Sequence, residues 1–514
     1  MMPKPKLKQF LKENKKKSKH APQRPTTADE YLAGKWYEKA KEAGVDFEEA
    51  GEKWRGGDAV KSARFFVRAI DCYNEGLGKF PTSFDLAYNK ARVQYELSQH
   101  PRLLAQLPGN LWELLQTALE SSRYALTLNQ TDADVLFNTA QILTSLAEGL
   151  HRQHSVGNED SDQAARAYLE EALDLFQRCF ELQTSQYGEF QAQLAASANP
   201  GSEASTGPEV QSSEDQQAQG AANDQEERWV TVTSPVSKET LRETVLAQLE
   251  TLTSLCDVCK DDKLMYIIEQ YAEPIITERL AVLVDGTDRE LEAAIARAAY
   301  TCAVADAKFR LGYPGTDIRT YVANVQAAWQ PLDLNDHVEG LGKRADALGT
   351  CSISVRLSRE GDTVEAGTLR WTILSQALQD LTAASKFPDD VNMGQINLLR
   401  GDMELMRSRL GLPPLNLDVA VKNQRVLVKN AEKYYRGAKG LTASEGPPTD
   451  DNIEATVKEA LAKALSGDSA LLVQVRGEFP TAEGILAEAF EEGLFTPDQI
   501  DQDDTMDLGG GVSI

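Results

Sequence analysis

The stretch GGDAVKSARFFVRAIDCYNEGLGKFPTSFDLAYNKARVQY, residues 56–95, predicts two helices separated by a proline. Its small, aromatic and proline residues fall at set positions when they are counted from Ala50: Gly57 at position 8, Ala69 at 20, Tyr73 at 24 and Pro81 at 32. Small residues let two helices cross closely, a ring fills the gap beside them, and a proline ends the second helix. The spacing therefore predicts a closely packed helix pair.

The same spacing recurs in tandem after this stretch. Ala91 and Ala140 take the place of Gly57 in the next two first helices. The second helices repeat the Ala69, Tyr73, Gly76 spacing with Ala118, Ser122 and Ala125, and then with Ala172, Phe176 and Cys179. Three helix pairs therefore align over residues 50–184, with insertions at 100–110 and 151–162. An ordinary helical bundle is the alternative that this spacing leaves open.

This tandem pattern resembles the tetratricopeptide-repeat family, whose units are helix–turn–helix pairs of about 34 residues. The match is good over about a quarter of the chain and looser in residues 290–312 and 371–388, where Ala377, Leu381 and Ala384 keep the spacing. The resemblance implies an all-α fold, an irregular tetratricopeptide-like solenoid. It also implies a protein-binding scaffold whose concave groove is lined by the first helix of each pair.

In this register the resemblance assigns eight partner-binding residues to the groove: Trp54, Asp58, Lys61, Tyr88, Asn89, Arg92, Asn138 and Gln141. Aromatic rings and amides in a groove suit the backbone of a bound peptide. Tyr95 and Phe137 also take groove positions, but packing between helices is the preferred interpretation for both.

The carboxylate clamp of co-chaperone members of this family does not carry over. That clamp needs Lys and Asn in the first repeat, where this sequence has Trp54 and Asp58. It needs Lys and Arg in the third repeat, where this sequence has Asp134 and Asn138; only Asn89 matches. Because aspartates repel a carboxylate, we reject this subtype.

Charge is distributed unevenly along the chain. Nine Lys or Arg against one Glu give residues 1–24 a net charge of +8, which leaves −33 for the remainder of a chain whose total is −25. An acidic body repels nucleic acid and attracts a basic protein. The basic arm is either an import signal or nucleic-acid contact, or a solvated tail.

Acidic residues are frequent near the C-terminus. They are Glu478, Glu483, Glu488, Glu491, Glu492, Asp498, Asp501, Asp503, Asp504 and Asp507. We expect them either to screen a basic client, with Leu486, Phe490 and Phe495 adding apolar contact, or to form a solvated tail that aids solubility.

Composition divides the chain into five segments. We predict a disordered basic arm over 1–25, tetratricopeptide-like repeats over 26–187, a low-complexity linker over 188–235, degenerate repeats over 236–441, and an acidic segment with short helices over 442–514. Two short pieces are ambiguous: residues 227–236 can be extended, and residues 350–371 can be a hairpin or a helix and loop. Neither a membrane span nor a signal peptide is predicted, so we expect a cytoplasmic or nuclear location, or both.

The candidate catalytic and metal-binding residues are few. Cys256 and Cys259 form a single CxxC, which suits helix packing better than redox or zinc chemistry without a second such pair. His151 and His154 lack further ligands at suitable spacing. We therefore predict no catalytic residue, metal or cofactor.

The predicted function is a non-enzymatic scaffold, adaptor or assembly chaperone for a basic protein or peptide segment. The alternative is a constitutive subunit of a larger complex. Nucleic acid is expected only at the basic arm, and no membrane is expected as a partner.

Overall fold

The computed structural model describes residues 28–153, 159–197, 236–387, 392–443 and 448–500. Within these ranges the chain consists of helices joined by turns, and none of them contains a strand. The all-α prediction is therefore confirmed. The basic arm, most of the predicted linker and nearly all of the possible extended piece at 227–236 lie outside the described residues.

The helices follow one another with short connections. They are α1 (Ala28–Trp54), α2 (Ala59–Lys79), α3 (Phe84–Ser98), α4 (Pro101–Leu104), α5 (Leu111–Leu128), α6 (Ala133–Gln153), α7 (Glu159–Ser197), α8 (Lys238–Asp257), α9 (Asp262–Pro274), α10 (Leu280–Val284), α11 (Glu290–Arg310), α12 (Ile318–Trp329), α13 (Val338–Leu357), α14 (Val364–Ala384), α15 (Met393–Arg409), α16 (Asp418–Thr442), α17 (Asp450–Leu465), α18 (Ala470–Glu478) and α19 (Ala482–Glu491). A π-helical turn, Ile275–Arg279, joins α9 to α10, and a 3₁₀ turn, Pro497–Gln499, follows α19.

The helices form a two-layer array of helix pairs. Most helices pack on helices that are close to them in the chain, and the first helix of a pair also touches the first helix of the next in most cases. We call α1, α3, α6, α8, α11, α13, α15 and α17 the A helices, and their partners the B helices. Contacts of this near-neighbour kind are typical of helical-repeat proteins.

Polar side chains fix where many helices begin. Asn110 and Glu113 form a capping box at the start of α5, in which each side chain accepts a hydrogen bond from the other residue's backbone N–H. Ser83 caps α3, and Asp317 and Thr363 cap α12 and α14 in the same way. These side chains satisfy backbone N–H groups that the first turn of a helix leaves without partners.

The predicted register of the first pair is wrong. Gly57 lies in the turn between α1 and α2, and nothing lies within 4 Å of the Cβ it would carry. The close crossing occurs instead at Gly44, where an added Cβ would lie 2.3 Å from Tyr73 Cε1. The predicted register begins at Ala50, but Ala50 lies near the C-terminal end of α1, which begins at Ala28.

The small residues of the later pairs lie where the spacing places them. Ala91 and Ala140 are buried on A helices, and Ala118 and Ala172 are buried on the facing B helices. The looser match at 371–388 behaves likewise, because Ala377 in α14 is fully buried. Close packing at small residues therefore continues far beyond the region of the good match.

One segment prediction differs from the structure, and the structure decides between the two alternatives for another segment. Helix α7 continues through Ser197, so the first residues of the predicted linker at 188–235 are helical. Residues 350–371 form the end of α13, a turn and the start of α14, which is the helix-and-loop alternative.

The acidic C-terminal segment also packs into the core. Leu486 and Phe495 are buried, and only Phe490 of the three predicted client contacts is largely exposed. The interpretation of Leu486 and Phe495 as client contacts is therefore wrong, because they close the end of the array. Asp501, Asp503, Asp504 and Asp507 lie outside the described residues.

In two of the helix pairs, a tyrosine, a carboxylate and a cation from three helices form a cluster that we call a polar lock. In the first pair, Tyr73 donates to Glu48 at 2.5 Å, and Glu48 also pairs with Arg92 on α3. In the seventh pair, Tyr435 donates to Asp402 at 2.8 Å, and Asp402 pairs with Lys458 on α17 at 3.1 Å. Each lock therefore joins a B helix, its A helix and the next A helix.

Candidate functional site

A stripe of polar side chains follows the open side of the A helices α3 and α6. On α3 the half-buried residues recur every three or four positions, at Asp85, Tyr88, Asn89 and Arg92. The apolar residues between them, Leu86 among others, are buried. Residues at such spacing share one face of a helix. We call the surface formed by these stripes the A-face.

The stripe of α6 continues the A-face. Its half-buried members are Asp134, Phe137, Asn138, Gln141, Thr144, Ser145 and Glu148. Asn138 Nδ2 lies 3.3 Å from Tyr88 Oη, to which it donates. Tyr95 is buried, and its hydroxyl lies 3.5 Å from Ser145 Oγ. Phe137 meets the buried Phe176 ring edge-on at 5.4 Å between centroids. The packing interpretation of Tyr95 and Phe137 thus agrees with their contacts.

Further contacts link α6 to α8, and α8 to α13. Thr144 and Thr251 hydroxyls lie 3.2 Å apart, and Ser254 Oγ donates to Glu148 at 3.4 Å. Lys343 on α13 forms a salt bridge of 2.8 Å with Glu250 on α8. Polar contacts therefore connect several A helices, although Thr251 and Ser254 are themselves buried.

Arg92 and Gln141 differ in their freedom to bind a partner. Arg92 already pairs with Glu48 and, at 3.5 Å, with Glu96, so its charge is neutralised within the array. The Oε1 atom of Gln141 is buried and has no hydrogen-bond partner. A buried amide oxygen of this kind is normally satisfied by water or by a donor on a ligand.

Three predicted groove residues lie elsewhere. Trp54 ends α1, Asp58 caps α2 by accepting from the Lys61 N–H at 2.9 Å, and the Lys61 ammonium lies 3.2 Å from the centroid of the Trp54 ring. Lys61 also lines a cavity of about 580 Å³ between α2 and the turn before α5, with Arg64 and Leu107. Asp58 and Lys61 therefore do not lie on an A helix, as the predicted register required, because Asp58 begins a B helix.

Two carboxyl groups on the A-face have raised pKa values. Burial, and then the charge of Asp132, raise the pKa of Asp134 to about 6. Burial, and then the charge of Asp306, raise the pKa of Asp257 to about 7. Asp257 is surrounded by protein atoms, but part of the residue still reaches solvent, as expected for a carboxyl group at the bottom of a groove.

A smaller cavity of about 140 Å³ lies on the A-face between α8, α11 and α13. Its floor is formed by alanines, Ala296, Ala299 and Ala303, because side chains of this size leave the surface of α11 recessed. Glu250, Asp257, Asp306, Asp346 and Lys343 line its polar part. No residue pattern in the sequence pointed to this cavity, since its three helices lie in the region of loose repeat similarity.

The cysteine pair is part of the core. Cys256 and Cys259 are both buried, and burial raises the pKa of each thiol. Their backbone carbonyls accept hydrogen bonds from Arg310 at 2.7 and 3.4 Å. A buried thiol with a raised pKa carries little thiolate, which is the reactive form, so the packing interpretation fits this environment.

In the part of the chain that the structure describes, no group of three or more His, Cys, Asp or Glu side chains is arranged to hold a metal ion. The side chain of His151 and the whole of His154 lie outside the described residues. No described helix is long and apolar enough to cross a bilayer.

The chain was compared with known proteins. No protein-family model matches it. It is 25% identical over 441 residues to the UPF0656 protein C926.02 of Schizosaccharomyces pombe, which covers 82% of this chain and 86% of that protein. The similarity thus spans most of both chains, but the name of the relative states no activity.

Two solved structures share the helical character at low similarity. A circular tandem repeat protein aligns with 90% of this chain and 99% of its own, at 15% identity and a TM-score of 0.25. The S. pombe nuclear import adaptor Nro1 aligns with 82% of this chain and 98% of its own, at 11% identity and a TM-score of 0.28. Scores this low carry no inference about function.

Proposed function

We propose that this protein is a non-enzymatic protein-binding scaffold, an adaptor or assembly chaperone that holds a basic segment of a client along the A-face. The observation that carries the proposal is the A-face, where polar side chains recur on one side of α3 and α6 and polar contacts connect α3 to α6, α6 to α8, and α8 to α13. Such a surface suits an extended polypeptide, which presents backbone N–H and C=O groups along its length.

The basic character of the client is supported by the charges on the A-face. Burial and neighbouring carboxyl groups raise the pKa values of Asp134 and Asp257, so a nearby cation would stabilise their ionised forms. A lysine or arginine of the client would supply it. The net charge of −33 outside the basic arm adds long-range attraction for the same class of partner.

Individual residues take distinct roles in this proposal. Tyr88 and Asn138, already in contact, offer an aromatic surface and an amide, while Asn89 and Gln141 offer amides to the client backbone. Arg92 positions the helices rather than the client. Trp54, Asp58 and Lys61 remain predicted binding residues only as a separate patch at the turn after α1.

Action in the cytoplasm, the nucleus or both belongs to the same proposal, with nucleic acid excluded as a partner except at the basic arm. The competing function is a constitutive subunit of a larger complex that uses the A-face permanently. The two functions differ in the salt dependence of binding, because exposed charge pairs weaken as ionic strength rises.

The test compares the full chain with a double variant, Asp134→Asn and Asp257→Asn, in affinity capture at low and high salt followed by mass spectrometry. Asp174→Asn, an exposed change on α7, is the matched control. We expect the full chain and the control to retain basic proteins at low salt and release them at high salt, and the double variant to lose them at both. Partners that persist at high salt and ignore the double variant would establish the subunit function instead.

A further inference from the structure

Three arginines lie together at one edge of the array, where α13 ends, α14 begins and α15 ends. They are Arg356, Arg370 and Arg409. Arg370 is only 3% exposed, and the other two are half-buried. Burial, and then the charges of Arg356 and Arg409, lower the pKa of Arg370 to about 9. The three arginines lie on helices that pack side by side, α13 on α14 and α14 on α15.

These arginines lack the partners that buried cations normally have. Within the described ranges, none of the three forms a salt bridge, although Asp362 and Glu491 are close enough to act on their pKa values. Arg356 donates to the Glu491 backbone oxygen, and Arg370 Nε donates to Ser352 Oγ at 3.2 Å. Both acceptors are uncharged, but the Glu491 carbonyl lies at the C-terminal end of α19, where the helix dipole favours a cation, so the charge of Arg356 is partly compensated and that of Arg370 is not.

Two of the donor atoms are fully without partners. Arg356 Nε and Arg409 Nη1 are buried and form no hydrogen bond. Buried N–H groups of a charged side chain are costly to leave unsatisfied, and such orphans in a native protein often mark a bound water or ion. In an acidic protein, a buried group of like positive charges is a second sign of a missing anion.

Helix dipoles account for only part of the cluster. Arg356 and Arg409 lie in the last turns of α13 and α15, where the negative end of a helix favours a cation. Arg370 lies in the N-terminal half of α14, where the dipole gives no such benefit. Its burial beside two other cations needs another cause.

We propose that Arg356, Arg370 and Arg409 form an anion site that binds a phosphate group. A single carboxylate is satisfied by one guanidinium fork, whereas three forks from three helices match the several oxygens and the double negative charge of a phosphate. A phosphorylated side chain of a partner and free inorganic phosphate share this chemistry. The site is independent of the A-face and of the proposed client.

The test measures the thermal unfolding of the full chain in inorganic phosphate and in chloride at equal ionic strength. We expect phosphate to raise Tm with the logarithm of its concentration once that concentration exceeds Kd, by roughly 1 °C for each kcal/mol of binding free energy gained in a chain of this length. Arg370→Gln and Arg409→Gln should remove the response. Arg359→Gln, an exposed arginine in the turn after α13, should retain it.

The unfolding temperature in chloride shows whether the variants still fold. In chloride, Arg370→Gln should unfold at or above the wild-type temperature, because it removes a buried charge that has no counter-ion.

Calorimetric titration of the wild-type chain with inorganic phosphate and with a phosphoserine peptide distinguishes the sources of the anion. Tighter binding of the peptide indicates a phosphorylated partner, and tighter binding of inorganic phosphate indicates a small anion. Absence of saturable binding of both, an equal response to acetate, or an undiminished response in Arg370→Gln would overturn the proposal.

Discussion

Gly44 and Gly401 occupy equivalent places in the first and seventh helix pairs. Each faces a fully buried tyrosine, and an added Cβ would lie 2.3 Å from Cε1 of Tyr73 or of Tyr435. Because both rings are locked by carboxylates, they cannot move aside freely. We expect Gly44→Ala and Gly401→Ala each to lower the free energy of unfolding by about 1–3 kcal/mol, measured by urea denaturation.

Gly57→Ala is the matched control for these glycines. Its Cβ would meet nothing within 4 Å, and it lies in a turn rather than at a crossing. We expect a change within about 0.5 kcal/mol, as for other surface substitutions. If Gly57→Ala proved as damaging as Gly44→Ala, the register given by the sequence would be restored.

The pKa of Asp257 predicts a pH dependence. It rises from 3.8 to about 7 through burial and the charges of Asp306, Asp346 and Glu148, with Arg310 opposing. Between these two values the folded chain holds a proton that the unfolded chain releases, so this group makes stability fall as pH rises from about 4 to about 7. Asp257→Asn should therefore gain stability relative to wild type across that window and keep the gain above it.

Unfolding temperatures of Asp257→Asn and wild type at several pH values test this. Asp174→Asn, on the exposed side of α7, serves as the reference for a lost surface charge. A difference between Asp257→Asn and wild type that did not change between pH 4 and 7 would show that Asp257 titrates normally in the folded chain.

At the scale of residues, the sequence predicted the small residues at helix crossings, because their positions depend on local spacing. Ala91, Ala140 and Ala172 were located because small residues at a crossing recur at a fixed interval. The Glu48–Arg92 salt bridge and the partner of Tyr73 were missed, since they join residues from different helices. No local pattern reports which distant side chains a crossing brings together.

At the scale of helices, α17 carries a buried lysine that pairs with several carboxylates. Lys458 is buried and pairs with Asp402 at 3.1 Å and Glu454 at 2.9 Å, while Glu492 lies 3.8 Å away. Lys458→Met would leave these carboxylates buried without their cation. We expect a loss of about 3–5 kcal/mol in the free energy of unfolding, measured by urea denaturation.

Lys463→Met on the same helix provides the comparison. Lys463 pairs with Glu459 at 3.3 Å and remains partly exposed, so its loss should cost about 1 kcal/mol or less. Equal effects of the two substitutions would show that the buried pair has no special part in docking α17.

Helix boundaries were predictable where a cap or a proline marks them and not elsewhere. Asn110 and Glu113 begin α5 as their spacing indicates. The end of α7 at Ser197 was missed, because Gln- and Ala-rich sequence is compatible with both a linker and an exposed helix. Composition alone does not separate these two states.

For the whole molecule, the C-terminal helices act as a cap on the array. Val457 and Leu461 of α17 and Leu486 of α19 belong to the same apolar core as α15 and α16. A chain ending at residue 443 would expose that core, and we expect it to lose cooperative unfolding and to self-associate in size-exclusion chromatography.

A chain ending at residue 500 is the control, because every contact described here remains in it. We expect its unfolding temperature to match that of the full chain. If the chain ending at 443 stayed monomeric and cooperative, the acidic segment would be dispensable, as the solubility interpretation of the sequence implied.

The overall architecture was predictable because near-neighbour helix pairs repeat a local rule. The A-face was predictable only in part: α3 and α6 gave Tyr88, Asn89, Asn138 and Gln141, but the register error placed Asp58 and Lys61 on it. The cavity of α8, α11 and α13 and the arginine cluster were beyond reach, since each is assembled from three separate helices.

The polar locks of the first and seventh pairs have a consequence for alignment. Interfaces built from alanines are smooth, so neighbouring helices can slide by one turn at little loss of apolar contact. A tyrosine hydroxyl, a carboxylate and a cation meet in only one alignment, and a slipped pair would bury all three without partners. The hydrogen bonds of Tyr73 and Tyr435 thus fix the alignment of the first and seventh helix pairs. Because these pairs lie near the two ends of the array, they exclude shifted packing of the helices between them.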